Sequence, residues 1–256
     1  METAASIKEK LGQAETFEPW MEELKGDSRK SVQQLLGAWQ RRIDKKLSLL
    51  QRLEDKQSFD RQFKNHPGSL VAGIDEAGRG PLAGPVVTAA VILPEDSSAF
   101  IGLDDSKIIA KAKRNELAQL IKQQAISWSV HIQPPEAIDR LNIYQATKQS
   151  MEAAANNLDT APDVVLADAM ELALPMPSEA IIKGDAKSLC IAAASILAKT
   201  GRDDLMEEYA QMYPQYGFSK HAGYGTKDHL AALEAHGPCP IHRKTFEPVK
   251  SMAQRP

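Results

Sequence analysis

Three times along this chain a short apolar segment delivers a carboxylate. Ser69-Leu-Val-Ala-Gly-Ile-Asp75 is followed at once by Glu76, Asp163-Val-Val-Leu-Ala-Asp168 repeats the design, and Ala180-Ile-Ile-Lys-Gly-Asp185 repeats it again. Short, mainly apolar runs of this kind read as strands, and with the helical patterns between them they suggest a sheet covered by helices on both faces. An acid at the end of such a strand sits near the core, where an uncompensated charge is costly. In open α/β sheets, chemistry gathers at strand ends. Taken singly, each acid also reads as the cap of a following helix, and Asp185 before Ala186 fits an N-cap. The recurrence of all three equally allows one shared site. Four carboxylates, Asp75, Glu76, Asp168 and Asp185, without His or Cys beside them suit Mg²⁺ or Mn²⁺ better than Zn²⁺.

The segments between supply the rest of an α/β core. Pro85 to Leu93 reads as a second strand, stopped by Pro94, and Ile126 to Ile132 alternates as a third, with Trp128 on a buried sheet surface. Residues 110–125 and 136–158 read as helices, Asn142 being a candidate cap, and Ala186 to Met212 reads as a long Ala-rich helix. Cys190, Met206 and Met212 read as core packing on that helix. Ahead of the turn cluster Asn65-His66-Pro67-Gly68 the texture differs. Leu36, Trp39, Ile43, Leu47, Leu50 and Leu53 recur at helical spacing, and no strand-like alternation is present. Two regions are expected: a helical N-terminal extension over 1–66, and an α/β region with a helical C-terminal part over 67–256.

Charge separates the same regions. Residues 29–64 hold ten basic and four acidic residues, whereas 67–256 hold 18 basic and 23 acidic ones, and the whole chain of 256 residues carries −3. A basic whole-protein field therefore attracts no partner, although local patches and bound cations can. The basic side of the extension reads either as a solvated helix face or as a contact for a polyanion. Two cysteines argue for a reducing compartment. With no apolar run of about 18–20 residues and no basic-then-apolar start, a cytoplasmic protein off the membrane is expected.

The first acids lie inside Gly73-Ile-Asp-Glu-Ala-Gly78-Arg79-Gly80. The two outer glycines resemble a P-loop, but Arg79 stands for its Lys and Gly80 for its Ser or Thr, which excludes one. A glycine-rich turn can still offer backbone N–H groups to a single phosphate, with Arg79 adding charge. A plain tight turn between strands stays open as well.

Continued through Pro81-Leu-Ala-Gly-Pro-Val87, this segment resembles the opening motif of the ribonuclease HII family. The likeness runs on through Asp105-Ser-Lys107, Asp168, Lys183-Gly-Asp-Ala-Lys187, Ala192 to Lys199 with Arg202-Asp203, and Gly223-Tyr-Gly-Thr-Lys-Asp-His229, in order, over roughly residues 69–245. The resemblance implies an RNase H-like mixed sheet flanked by helices. It implies a metal-dependent endonuclease that cuts RNA paired with DNA and ribonucleotides embedded in duplex DNA, leaving 3′-hydroxyl and 5′-phosphate ends. It carries a catalytic role and the binding of two metal ions, Mn²⁺ or Mg²⁺, to Asp75, Glu76, Asp168 and Asp185, the same four acids. It assigns Gly78, Arg79 and Gly80 to the phosphate beside the ribonucleotide, Lys107 and Lys199 to the nucleic-acid backbone, and Tyr224 to the sugar at the RNA-to-DNA junction. Backbone groups of the Gly78–Gly80 loop are candidates for reading the 2′-hydroxyl. Where many relatives have Gly after the third acid, this chain has Ala169, a small residue expected to matter little. The N-terminal 66 residues lie outside the resemblance. Cys239-Pro-Ile-His242 lacks a second Cys for zinc; with Lys220, Lys227, Arg243 and Lys244 it reads as a mixed basic surface that touches the nucleic-acid backbone. The tail Ser251–Pro256 carries no recognisable docking motif, so no protein partner is named.

Overall fold

The computed structural model of the chain describes residues 2–253; the last three residues of the Ser251–Pro256 tail lie outside the described residues. The chain forms two compact units, Met1–Glu54 and Asp55–Pro256.

The first unit is helical: α1 (Ala4–Gln13), α2 (Trp20–Lys25) and most of α3 (Lys30–Arg61). Thr3 caps α1 by accepting from the Ser6 N–H. Ile7, Leu11, Met21, Leu24, Val32, Trp39 and Ile43 share one apolar cluster. Arg42 donates to the carbonyls of Leu11, Gly12 and Ala14, closing the free C-terminal end of α1, and Lys46 pairs with Glu15. These cations are therefore structural. The apolar stripe does not run unbroken along α3 as the spacing suggests: Leu47 and Leu50 are exposed, at 57% and 38%.

The second unit is built on a five-stranded mixed sheet in the order β3-β2-β1-β4-β5. The strands are β1 (Val71–Ala77), β2 (Val86–Ile92), β3 (Ser127–Gln133), β4 (Val164–Asp168) and β5 (Ser178–Ile181). β2 lies antiparallel to β1 and β3, while β4 runs parallel to β1 and β5. Helices α4 (Lys111–Gln124), α5 (Pro135–Leu141), α6 (Ile143–Asn156), the single turn α7 (Gly184–Lys187) and α8 (Leu189–Met212) follow the strands. Asn142 splits the expected 136–158 helix in two; at φ +71° its side chain accepts from the Gln145 N–H and starts α6.

Strand alternation divides the core. Ala72, Ile74, Val165 and Ala167 face α6 through Met151, Ala154 and Ala155. Val71, Val164 and Leu166 take the opposite phase with Ile191 of α8 and with Phe59 and Phe63. Gly73 lets α8 approach closely: a Cβ there would lie 2.1 Å from Cys190 C and Ile191 N. Cys190 and Met206 are buried as expected, whereas Met212 is 59% exposed because it ends α8. Trp128 is also exposed, on the solvent side of the edge strand, where its indole donates to the Lys122 carbonyl beneath the Lys122 ammonium.

The C-terminal part, α9 (Phe218–His221), α10 (Lys227–His236) and α11 (Val249–Ala253), closes over a further core of Leu82, Ala83, Met206, Tyr216, Phe218, Leu233 and Ile241. Cys239 and His242 form a buried hydrogen-bonded turn rather than a surface, the Cys239 N–H donating to His242 Nδ1 at 2.9 Å. Arg243 is also wholly buried, against expectation; Lys220, Lys227 and Lys244 are exposed.

Candidate active site

Parallel pairing of β1 with β4 matches Ile74 to Ala167. Asp75 and Asp168 therefore come next on neighbouring strands, at the same end and on the α8 face. Asp75 is buried and accepts from the Glu76 N–H at 2.7 Å. Asp168 accepts from the Gly184 N–H at 2.7 Å, which ties β4 to the α7 turn. Asp185 does not end a strand. β5 stops at Ile181, Lys183 is left-handed at φ +56°, and Asp185 sits buried in the α7 turn. Nor does it cap the long helix; Ser188 does so, and α8 begins at Leu189. Ala169 also adopts a left-handed backbone, φ +48°, so the alanine expected to matter little carries strain that glycine would not.

The carboxylates repel one another. Burial, then the charges of Glu76 and Asp168, push Asp75 well above the usual carboxylate range. Burial raises Glu76; Arg79, 3.4 Å away, pulls it back and Asp168 adds to the rise. Burial, Asp105 and Asp168 raise Asp185. Partial burial works to lower the Lys107 ammonium, but Asp105, Asp75, Asp185 and Asp168 outweigh it and hold it above its ordinary value. Glu76 Oε2 is buried without a hydrogen-bond partner. Four oxygen-donor side chains, raised pKa values at Asp75, Glu76 and Asp185, and an orphaned carboxylate oxygen fit a hard divalent cation. Among the described residues no three His, Cys, Asp or Glu side chains stand at the spacing of a formed metal cage.

Next to these acids a cleft of about 280 Å³ is lined by Glu76, Gly78, Arg79, Gly80, Lys107, Lys199 and Tyr224, together with Ser106, Ser195 and Arg202. Every residue that the resemblance assigns to substrate meets here, whereas Lys220, Lys227, Arg243 and Lys244 do not line the cleft. Tyr224 is 49% exposed, not a buried turn residue, and its ring lies 3.6 Å from where a Gly80 Cβ would stand. Lys199 pairs with Asp203, which also holds Arg114. The Ser195 hydroxyl donates to Ser106 Oγ at 2.8 Å and so joins α8 to the Lys107 loop.

Sequence reasoning missed what holds the glycine loop. Arg202 donates to the carbonyls of Pro85 and Ala83 at 3.0 and 3.1 Å. Arg243 donates to the carbonyls of Gly84, Arg79 and Gly78. Burial lowers Arg202 to about 10 and Arg243 to about 9, so both stay charged at neutral pH. A planar trans peptide points its C=O and N–H in opposite directions. With the Gly78 and Arg79 carbonyls turned onto Arg243, the N–H groups of Arg79 and Gly80 point away from it. Gly78, at φ +96°, leaves room for Arg202; a Cβ would come within 2.0 Å of Arg202 Nε. One signal was available: Ala198, Arg202 and Met206 share the four-residue spacing of an apolar stripe, all three buried.

Residues 72–249 match the family described as Ribonuclease HII, and residues 3–64 match Ribonuclease HII N-terminal domain. A ribonuclease HII of Bacillus licheniformis is 49% identical over 250 residues, covering 97% of this chain and 98% of that one. One of Halalkalibacterium halodurans is 48% identical over 258 residues, covering 99% and 98%. Among solved structures, the ribonuclease H2 from Pyrococcus horikoshii superposes with a TM-score of 0.63 at 26% identity, covering 72% of this chain and 96% of its own, and the sheet is accordingly RNase H-like. With both segments matched and close to half of all residues shared over nearly the full length, the chain belongs to the ribonuclease HII family.

Proposed function

We propose that this chain is a divalent-cation-dependent endonuclease that cuts the RNA strand of RNA/DNA hybrids and cuts at ribonucleotides embedded in duplex DNA, leaving 3′-hydroxyl and 5′-phosphate ends. The observation that carries the reading is that one cleft brings Gly78, Arg79, Gly80, Lys107, Lys199 and Tyr224 beside Glu76, whose neighbours Asp75 and Asp168 repel it and one another. Asp75, Glu76, Asp168 and Asp185 would hold Mg²⁺ or Mn²⁺. Bound there, the cations would lower the pKa of an attacking water and neutralise charge on the leaving oxygen.

The rest falls to the chain. The N–H groups of Arg79 and Gly80, turned away from Arg243, are donors for the phosphate and the 2′-hydroxyl of one ribonucleotide. Arg79 and Lys107 add positive charge beside the acids, offsetting the repulsion that a phosphodiester meets there. The exposed Tyr224 ring stands over the glycine loop, where it would pack on the sugar that follows the ribonucleotide. A 2′-hydroxyl on that sugar would crowd the ring, so the RNA-to-DNA junction is favoured over continuous RNA.

The test is a duplex with one embedded ribonucleotide, a continuous hybrid and an all-DNA duplex, each incubated with Mn²⁺, Mg²⁺ or EDTA. Cleavage of the first two, none of the third, and none in EDTA are expected, with ends that a ligase and a kinase identify. Cleavage that persists in EDTA, or equal cleavage of all three, contradicts the reading.

A further inference from the structure

Of the four acids, Asp185 alone is not carried by a sheet ladder. Asp75 and Glu76 lie in β1 and Asp168 ends β4, each paired with neighbouring strands. Asp185 follows a left-handed residue in a one-turn helix beyond a short strand whose two middle residues are exposed. Something else has to fix it.

The last turns of α3 do. Lys56 is 4% exposed, and its ammonium donates to the Asp185 carbonyl at 2.6 Å and to Asp104 Oδ1 at 3.0 Å. Asp104 Oδ1 also accepts from the Asp105 N–H, and Asp105 Oδ1 accepts from the Lys107 N–H. One buried cation thus ties the turn carrying Asp185 to the loop carrying Lys107. One turn further along, Asp60 Oδ2 accepts from the N–H groups of Leu189 and Cys190, both at 3.0 Å. The segment 185–190 is pinned at both ends, at its first carbonyl and at its last two amides. Phe59 and Phe63, on the same stretch, pack against Ile191 and β4.

We propose that Lys56 and Asp60 are positioning residues of the active site, holding the Asp185 turn and the Lys107 loop in register from the end of the N-terminal helix. The proposal rests on the reading of Asp185 as a metal-binding carboxylate. It makes the end of α3 part of the catalytic apparatus although it precedes every motif of the family's main segment. Carbonyl and amide supports of a ligating group act as outer-shell partners do, fixing orientation without touching the cation.

The experiment compares full-length wild type with Lys56→Met, Lys56→Arg, Asp60→Ala and Asp185→Asn. Mn²⁺ binding to the substrate-free protein is measured by calorimetry, kcat and KM on the single-ribonucleotide duplex, and backbone amide exchange over residues 183–190. Lys56→Met, which keeps the volume, is expected to weaken Mn²⁺ binding and lower kcat by about 10- to 100-fold with KM little changed, and to speed exchange in 183–190. Lys56→Arg should recover most of each loss. Should Lys56→Met fail to fold, Asp60→Ala must weaken Mn²⁺ binding and speed exchange in the same segment. Wild-type Mn²⁺ binding and kcat in a folded Lys56→Met or Asp60→Ala overturn the proposal. Normal cleavage by Asp185→Asn overturns the underlying reading of Asp185 instead, so the two failures are distinct.

Discussion

The two walls of the cleft are finished to different degrees. The glycine-loop wall is complete as it stands: five backbone carbonyls, of Gly78, Arg79, Ala83, Gly84 and Pro85, are all taken up by Arg202 and Arg243. The carboxylate wall is not. Asp75, Glu76 and Asp185 sit above the usual range and Glu76 Oε2 has no partner. One wall is held by internal cations; the other gathers carboxylates that burial and mutual repulsion raise, which is the wall proposed above to take divalent cations. Buried charge is stable in both cases only when countered, and on the proposed function the source of the counter-charge would separate substrate positioning from chemistry.

The largest effect should come from the open wall. Asp75→Asn and Asp168→Asn each remove a ligand charge at nearly constant volume, and each should cost about a thousandfold or more in kcat/KM, about 4 kcal/mol of transition-state stabilisation, while the fold persists by circular dichroism. Near wild-type turnover in either folded variant would mean that the acids are not the reacting centre.

Breaking the closed wall should cost stability first. Arg243→Met leaves the carbonyls of Gly78, Arg79 and Gly84 unpaired in a buried place, at about 1–3 kcal/mol each before relaxation. A loss of about 3 kcal/mol or more is expected in urea unfolding, against a much smaller loss for Lys244→Met next to it, which is exposed. Equal losses would show that the loop does not depend on its internal cation.

Tyr224 sharpens the contrast from within the cleft. Tyr224→Ala should lower kcat/KM on the single-ribonucleotide duplex by about tenfold or more, roughly the 1–3 kcal/mol of a stacked ring, and lower it less on the continuous hybrid. Tyr224→Phe should be milder on both. Equal fractional losses on the two substrates would reduce Tyr224 to a general contact.

The smallest effect lies beside Asp168. Ala169→Gly should raise stability by about 1 kcal/mol, because the strain of a left-handed alanine outweighs the extra freedom glycine gives the unfolded chain. A stability loss in thermal melts would show that the alanine is unstrained.

What could be read from the sequence follows how each feature is encoded. Asp75 and Asp168 were legible because an apolar run followed by an acid is itself a pattern, and the parallel pairing of β1 with β4 merely sets them side by side. The support of Asp185 differs from the sequence reading, since Ala180-Ile-Ile reads as a strand end and the left-handed turn at Lys183 has no glycine at that position to announce it. Arg202, Arg243 and Lys56 were not legible as supports because they bond backbone carbonyls, which look alike in every residue. Arg243 in particular lies among Lys and His and reads as surface, yet it is buried. The stripe on α3 misled in the opposite direction: its spacing continues through Leu47 and Leu50, which pack against nothing that buries them.

The difference between the walls is tested most directly by thermal melting of wild type and Asp75→Asn from roughly pH 5 to pH 8, with EDTA and with Mn²⁺. A carboxyl whose pKa is raised on folding binds its proton more tightly in the folded state, so its favourable contribution is present at low pH and is lost as pH rises through the folded value. With EDTA, wild type should therefore lose stability relative to Asp75→Asn as the pH rises, the two converging in mild acid. Mn²⁺ should reverse the order at the alkaline end by stabilising wild type far more than the variant. Parallel pH curves in EDTA, together with equal responses to Mn²⁺, would contradict the proposal that these carboxylates are raised by burial and mutual repulsion and take divalent cations.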